Sequence, residues 1–246
     1  MSEALTLEPT ETGAGRRFSN QAPDASGALV SFDDVTRYFG RGRSRRAVLR
    51  GLDLQVGAGT AVCISGGNGA GKTTLLRLAT GILAPNAGRV IIDDIGTDER
   101  WRELHRRLGF LSAGDRGLYA RLSVHGHLAF WAALAFLPRK ERKRLVEEAL
   151  VRFGLCDLAK RRADRLSLGQ RQRLRLALTM LHRPKVLLLD EPRSSLDAEG
   201  LKILGSSVGE VLARGGAVLW CSPLGEEQPV SFERILLLAD GKLSPA

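Results

Sequence analysis

The stretch that most restricts what this chain can become is Gly66-Gly67-Asn68-Gly69-Ala70-Gly71-Lys72-Thr73. It follows an apolar run, Thr60 to Ser65, and opens a helix-like stretch, Thr74 to Ala79. A strand enters, glycines turn the chain, and a helix leaves. Glycines at such a turn let backbone N–H groups converge on a phosphate without Cβ obstruction, and the positive end of the following helix adds to the attraction. We assign Gly66, Asn68, Gly69, Ala70, Gly71 and Thr74 to the walls of this cradle. Lys72 is expected to reach the β- and γ-phosphates as a flexible point charge, and the Thr73 hydroxyl to ligate Mg²⁺. A turn that merely joins strand to helix is the plainer alternative; the full eight-residue pattern in this strand–helix setting argues against it, so nucleotide binding is expected.

A chain of 246 residues fits one domain, or one domain with a subdomain inserted. Its net charge of +10 reflects 37 Lys and Arg against 27 Asp and Glu, with arginines densest in Arg37 to Arg50, Arg139 to Arg144 and Arg161 to Arg175. Nucleic acid, anionic lipid headgroups and an acidic protein surface would all suit that charge, and so would simple solvated faces. Aromatic residues at 5% leave few rings interleaved with the basic ones, which argues against single-stranded nucleic acid. Cys63, Cys156 and Cys221 lack any paired spacing and read as buried free thiols, while His105, His125, His127 and His182 form no metal-ligand pattern. No apolar run reaches the roughly 18 residues needed to span a bilayer, and no signal-peptide pattern opens the chain.

Residues 1–28, rich in Ser, Thr, Gly, Pro and Glu, are expected to be a disordered leader. An alternating strand follows from Leu29 to Phe39, then a basic loop, Arg41 to Arg46, and a further strand pair within Ala47 to Val56; these predict an antiparallel sheet ahead of the phosphate loop. Tyr38 ends the first strand, where its ring could stack on adenine or pack in the core. Beyond the loop, Gly88 to Asp94 and Leu108 to Leu111 read as strands and Trp101 to Arg107 as a helix. Helical spacing then recurs through Val124 to Leu137 and Pro138 to Phe153, giving an inserted helical subdomain at about 115–168. Arg171 to Leu181 read as a further helix, with Ser167 near its N-terminus, where an anion is favoured. The wholly apolar run Val186 to Leu189 ends in Asp190-Glu191, as in a parallel strand buried on both faces whose C-terminal end meets the ligand. A helix from about Asp197 to Arg214 and strands Ala217 to Cys221 and Arg234 to Leu238 complete the sheet.

Taken in order, the phosphate loop, Leu166-Ser167-Leu168-Gly169-Gln170, the strand ending in Asp190-Glu191, and Ser195-Leu196-Asp197 resemble the ATP-binding subunit of an ABC transporter over residues 29–246. The stretch Gly114 to Ser123 is similar to exporters with ABC-2-type permeases. The resemblance implies an α/β fold of the P-loop NTPase kind, with a mixed central sheet, an N-terminal antiparallel β-subdomain and the inserted helical subdomain. It implies ATP and Mg²⁺ as cofactors, and two domains closing head to tail as a homodimer or a heterodimer. In that scheme Asp190 holds Mg²⁺, Glu191 polarises the attacking water, Ser167, Gly169 and Gln170 belong to the segment that meets the opposing copy's γ-phosphate, Asp197 couples the sites, and Tyr38 stacks on adenine. A separate integral-membrane permease is the implied partner, nucleic acid is not, and the implied location is peripheral, at the cytoplasmic face of the membrane.

Three positions depart from the family's pattern. Leu168 replaces a glycine, Pro223 stands where a histidine usually steadies the γ-phosphate, and no glutamine follows the strand ending at Leu111. Hydrolysis is therefore expected to be slow, or shared with a more complete partner. A soluble ABC ATPase acting on nucleic acid and a regulatory module with little turnover are the competing readings.

Overall fold

In the computed structural model, residues 27–114, 117–226 and 230–246 are described. Most of the expected leader and part of the exporter-like stretch, Asp115 and Arg116, lie outside them. The described residues build two sheets. Strands β1 (Ala28–Phe39), β2 (Arg46–Gly57), β4 (Ala87–Ile92) and β5 (Ile95–Gly96) form the antiparallel sheet in the order β2-β1-β4-β5. The central sheet runs β10-β9-β3-β8-β7-β6, from β3 (Ala61–Ser65), β6 (Leu108–Leu111), β7 (Val186–Asp190), β8 (Ala217–Ser222), β9 (Arg234–Ala239) and β10 (Lys242–Pro245). It is parallel except for the antiparallel hairpin of β9 and β10, the mixed sheet expected.

The strand pair expected within Ala47 to Val56 is one strand. Gly51 adopts φ +56, and opposite it Asp34 adopts φ +48, so the chain absorbs a bulge and continues. The Gly51 N–H donates to Thr36 Oγ1 at 2.8 Å, which replaces the ladder bond a bulge removes.

Among the described residues there are six α-helices: α1 (Lys72–Ala79), α2 (Trp101–Arg107), α3 (Val124–Leu134), α4 (Arg139–Arg152), α5 (Leu168–Met180) and α6 (Ala198–Ala213). The first of these stops short of the expected Leu137 among the insert's helices: α3 ends at Leu134, because Leu137 precedes Pro138, which disfavours helical backbone, and Phe136 turns the chain at φ +55. The insert is tied at its neck, where Val124 N donates to Arg161 O at 3.0 Å and Ala163 N to Leu122 O at 3.0 Å. Helix α5 begins at Leu168 with Ser167 as its N-cap, at the expected place, and Ser167 and Gln170 form a reciprocal capping box.

Two apolar cores flank the central sheet. One, containing Leu128, Phe153, Leu174, Leu189 and Trp220, joins it to α3–α6; the other, containing Phe32, Leu49, Ile64, Leu75 and Cys221, joins it to α1 and the antiparallel sheet. Strands β3, β7 and β8 are buried at every residue, which explains their unbroken apolar runs. Cys63 and Cys221 are buried as expected, but Cys156 is exposed, because it opens a single helical turn at the surface beyond α4. Among the described residues no helix is long and apolar enough to cross a membrane.

His127 is fully buried in α3. Its Nε2 accepts the Tyr119 N–H at 2.9 Å, so Nδ1 carries the proton and donates to Ser123 O at 2.9 Å. Burial pushes its pKa below the usual 6.5, against the opposing effect of the Ser123 carbonyl; burial does the same to His182. Below 6.5 the unfolded chain then binds more protons than the folded one, so stability falls as pH drops through the ordinary histidine range. Thermal melts between pH 7.5 and 5.5, values about one unit either side of that pKa, should show this loss, and His127→Gln should reduce it.

Candidate nucleotide site

The parallel strands put their C-terminal ends side by side. Ser65 pairs with Ser222 and Asp190 with Cys221, so the phosphate loop after β3, the end of β8 and the end of β7 share one edge. Gly71 is required twice over: its φ is +112, and a Cβ there would stand 2.9 Å from Val48 Cγ1. A Cβ on Gly66 would lie 2.7 Å from Leu238 O, whereas Cβ atoms on Gly67 and Gly69 would meet nothing within 4 Å. The loop is thus clamped at both ends and open at its middle, where Asn68 and Gly69 can turn N–H groups toward an anion, while the Ala70 N–H donates to Gly67 O at 3.2 Å.

Lys72 is only 6% exposed. Its Nζ donates to Gly66 O at 2.6 Å and Gly67 O at 3.1 Å and lies 3.9 Å from Glu191 Oε1. The Thr73 hydroxyl donates to Asp190 Oδ2 at 2.8 Å. Asp190 is buried, and its Oδ1 is buried without a hydrogen-bond partner. An orphaned carboxylate oxygen beside a threonine hydroxyl is the hard-oxygen donor set that Mg²⁺ prefers, so the residues present fit that ion. Glu191 is half-buried, sits at φ +48 and donates its N–H to Cys221 O at 2.9 Å. Thr74 lies in the first turn of α1, directly after Thr73.

A second cluster forms at the start of α5. Ser167 Oγ accepts from Gln170 N at 3.2 Å, and Gln170 Oε1 accepts from Ser167 N at 3.0 Å, so the Gln170 side chain serves the helix cap. A Cβ on Gly169 would stand 3.4 Å from Ser195 O and 3.6 Å from Asp197 Oδ2. Asp197 caps α6, accepting from Gly200 N at 2.7 Å. Among the described residues none of the hydrogen bonds or ion pairs of Ser167, Gly169, Gln170 and Asp197 reaches the phosphate loop.

Tyr38 pairs with Ala47 across β1 and β2 and is half-buried, so it is not a core ring. The Arg45 guanidinium stands 3.9 Å from its ring centroid, so a base stacking on Tyr38 must use the other face or displace Arg45. At the end of β8, Pro223 offers only its carbonyl, which accepts from Ser65 Oγ at 3.3 Å. The loop after β6 is held by a residue the sequence reading missed, Arg175 of α5, which donates to Ser112 O at 2.7 Å. The signal was present: a cation among Leu174, Leu176, Ala177 and Leu178 in a helix whose face is apolar.

The family model described as "ABC transporter" matches residues 49–194. The chain is 30% identical over 215 residues to the ABC transporter ATP-binding protein NatA of Bacillus subtilis, covering 87% of each chain. It is 38% identical over 217 residues to the cytochrome c biogenesis ATP-binding export protein CcmA of Rhodobacter capsulatus, covering 88% of this chain and 90% of that one. Among solved structures it is similar to the dimeric post-hydrolysis state of the ATP-binding cassette MJ0796 bound to ADP and Pi, with a TM-score of 0.76 at 25% identity over 88% of this chain and 97% of that one. With the fold, the phosphate loop and the carboxylate pair in agreement, the chain belongs to the ABC transporter family, as an ATP-binding domain.

Proposed function

We propose that this domain hydrolyses ATP slowly and uses the cycle to drive a substrate through a separate membrane-embedded permease. The observation that carries this reading is the presence, in one chain, of two half-sites that do not meet: Lys72, Thr73, Asp190 and Glu191 at one, Ser167, Gly169 and Asp197 at the other. Two copies, or this chain and a related one, closing head to tail make each half whole.

In the closed site Lys72 turns from the Gly66 and Gly67 carbonyls to the β- and γ-phosphates. Thr73 and Asp190 would hold Mg²⁺, which when bound would neutralise charge on those phosphates. The Glu191 carboxylate orients a water in line with the γ-phosphorus and accepts its proton, while Ser167 and Gly169 of the second copy donate to the γ-phosphate oxygens. The permease has an apolar seat available, a cavity of about 370 Å³ lined by Ile82, Phe110, Trp131 and Leu134 among others, with Phe130 and Phe136 exposed close by.

Pro223 lacks the donor that would steady the transferring charge, and loss of one such donor costs about 10²–10³-fold in rate, or ~3–4 kcal/mol. Pro223→His should recover part of that, raising kcat by about tenfold or more with little change in KM; an unchanged kcat removes Pro223 as the cause of slow turnover. The same feature favours a second reading, a low-turnover subunit paired with a more complete ATPase. Purification from its native membrane separates the two: a multispanning subunit and two copies of this chain support the first, and a second, non-identical ATPase supports the other. A chain recovered only with nucleic acid, released by salt, would refute both.

A further inference from the structure

Helix α5 carries two buried cations in a single turn. Arg173 donates to Glu199 Oε2 at 2.8 Å and stands 4.0 Å from Asp197 Oδ2, which fastens α5 to the start of α6. Arg175, 6% exposed, reaches the opposite way. Its Nη2 donates to Ser112 O at 2.7 Å and Ser112 Oγ at 2.9 Å, and its Nη1 to Gln172 Oε1 at 2.7 Å and to Gly114 O. Ser112 and Arg175 also line the apolar cavity that Trp131 and Leu134 border.

We propose that Arg175 is a positioning residue: its guanidinium makes the loop after β6 and helix α5 one rigid body, so that an occupant of the cavity sets where Ser167 stands relative to the second copy's nucleotide. This rests on the head-to-tail reading above. A planar guanidinium can serve the two carbonyls and the hydroxyl together, which a point charge cannot. If it is removed, the Ser112 and Gly114 carbonyls lose a charged donor and Ser112 to Gly114 no longer have a fixed relation to α5. The helix is stiff, and Ser167 lies about 12 Å along its axis from residue 175, so displacement at one end is delivered at the other. The loop that in the resembling family carries a glutamine toward the nucleotide is here tied instead to the helix that presents Ser167.

The test uses the full chain in a Glu191→Gln background, following MgATP-driven dimerisation by light scattering. ATP affinity is measured separately on dilute, monomeric protein with a fluorescent ATP analogue. Arg175→Gln should weaken dimerisation by about tenfold or more while monomer affinity changes less than about twofold, and Arg175→Lys should recover part of the loss. Unchanged dimerisation in Arg175→Gln overturns the proposal, as does an equal fall in monomer affinity, which would mean a general structural role. Should Arg175→Gln fail to fold, Arg175→Lys and Ser112→Ala carry the same comparison, each with a smaller expected loss of dimerisation. A Glu191→Gln parent that binds ATP and never dimerises overturns the head-to-tail reading for two copies of this chain, and the Arg175 proposal with it, and is recognised before any Arg175 variant is made.

Discussion

A Glu191→Gln protein is expected to bind ATP as the parent does and to stop releasing phosphate. The amide keeps the size and reach of the carboxylate but cannot take the proton of the attacking water, and a positioned base contributes about 10²–10⁴-fold to such a step. Binding should be spared because, among the described residues, the cation paired with Glu191 is Lys72 at 3.9 Å, a separation at which little attraction is lost with the charge. The backbone should not object, since Glu191 already holds φ +48 and glutamine meets the same constraint. A phosphate-release assay beside equilibrium nucleotide binding decides it: hydrolysis at the parent's rate would remove Glu191 as the base.

Lys72→Ala acts at the earlier step. ATP affinity should fall by about 100-fold or more, which corresponds to ~2.7 kcal/mol. Lys72 holds its own loop closed through the Gly66 and Gly67 carbonyls, at 2.6 and 3.1 Å, and is the cation that exchanges those carbonyls for phosphate oxygens. An alanine leaves both carbonyls without their charged donor and the triphosphate without its nearest counter-charge. Titration with a fluorescent ATP analogue measures the effect, and a dissociation constant within about threefold of the parent's would show that the loop's N–H groups suffice.

The parts of this molecule visible in its sequence are those in which chemistry and local structure coincide. Gly66 to Thr73 must be glycine-rich for reasons of backbone and packing within a few residues, and Val186 to Glu191 announces both a buried strand and its functional end. The Ser167 cap and its Gln170 partner are three residues apart, so their helix start is also a local pattern. What stayed hidden depends on contacts far apart in sequence. Arg175 and Ser112 are 63 residues apart, and nothing near either one predicts the other. The pair of strands expected within Ala47 to Val56 is one strand because the bulge at Gly51 is held by Thr36 on the neighbouring strand, a contact no local pattern announces. Tyr38 was weighed between a base-stacking and a core role without the guanidinium of Arg45, which covers one face of the ring.

The turn that follows β7 is bracketed by two non-glycine residues in left-handed backbone, Glu191 at φ +48 and Ser195 at φ +70. Glycine would relax either position, and at a site with that geometry such an exchange removes a cost on the order of 1 kcal/mol. A thermostability screen of this protein would therefore enrich Glu191→Gly and silence the enzyme in the process. With Glu191 as the proposed base, heat tolerance and turnover should compete for a single residue, and selection for the first has to be run with residue 191 held constant.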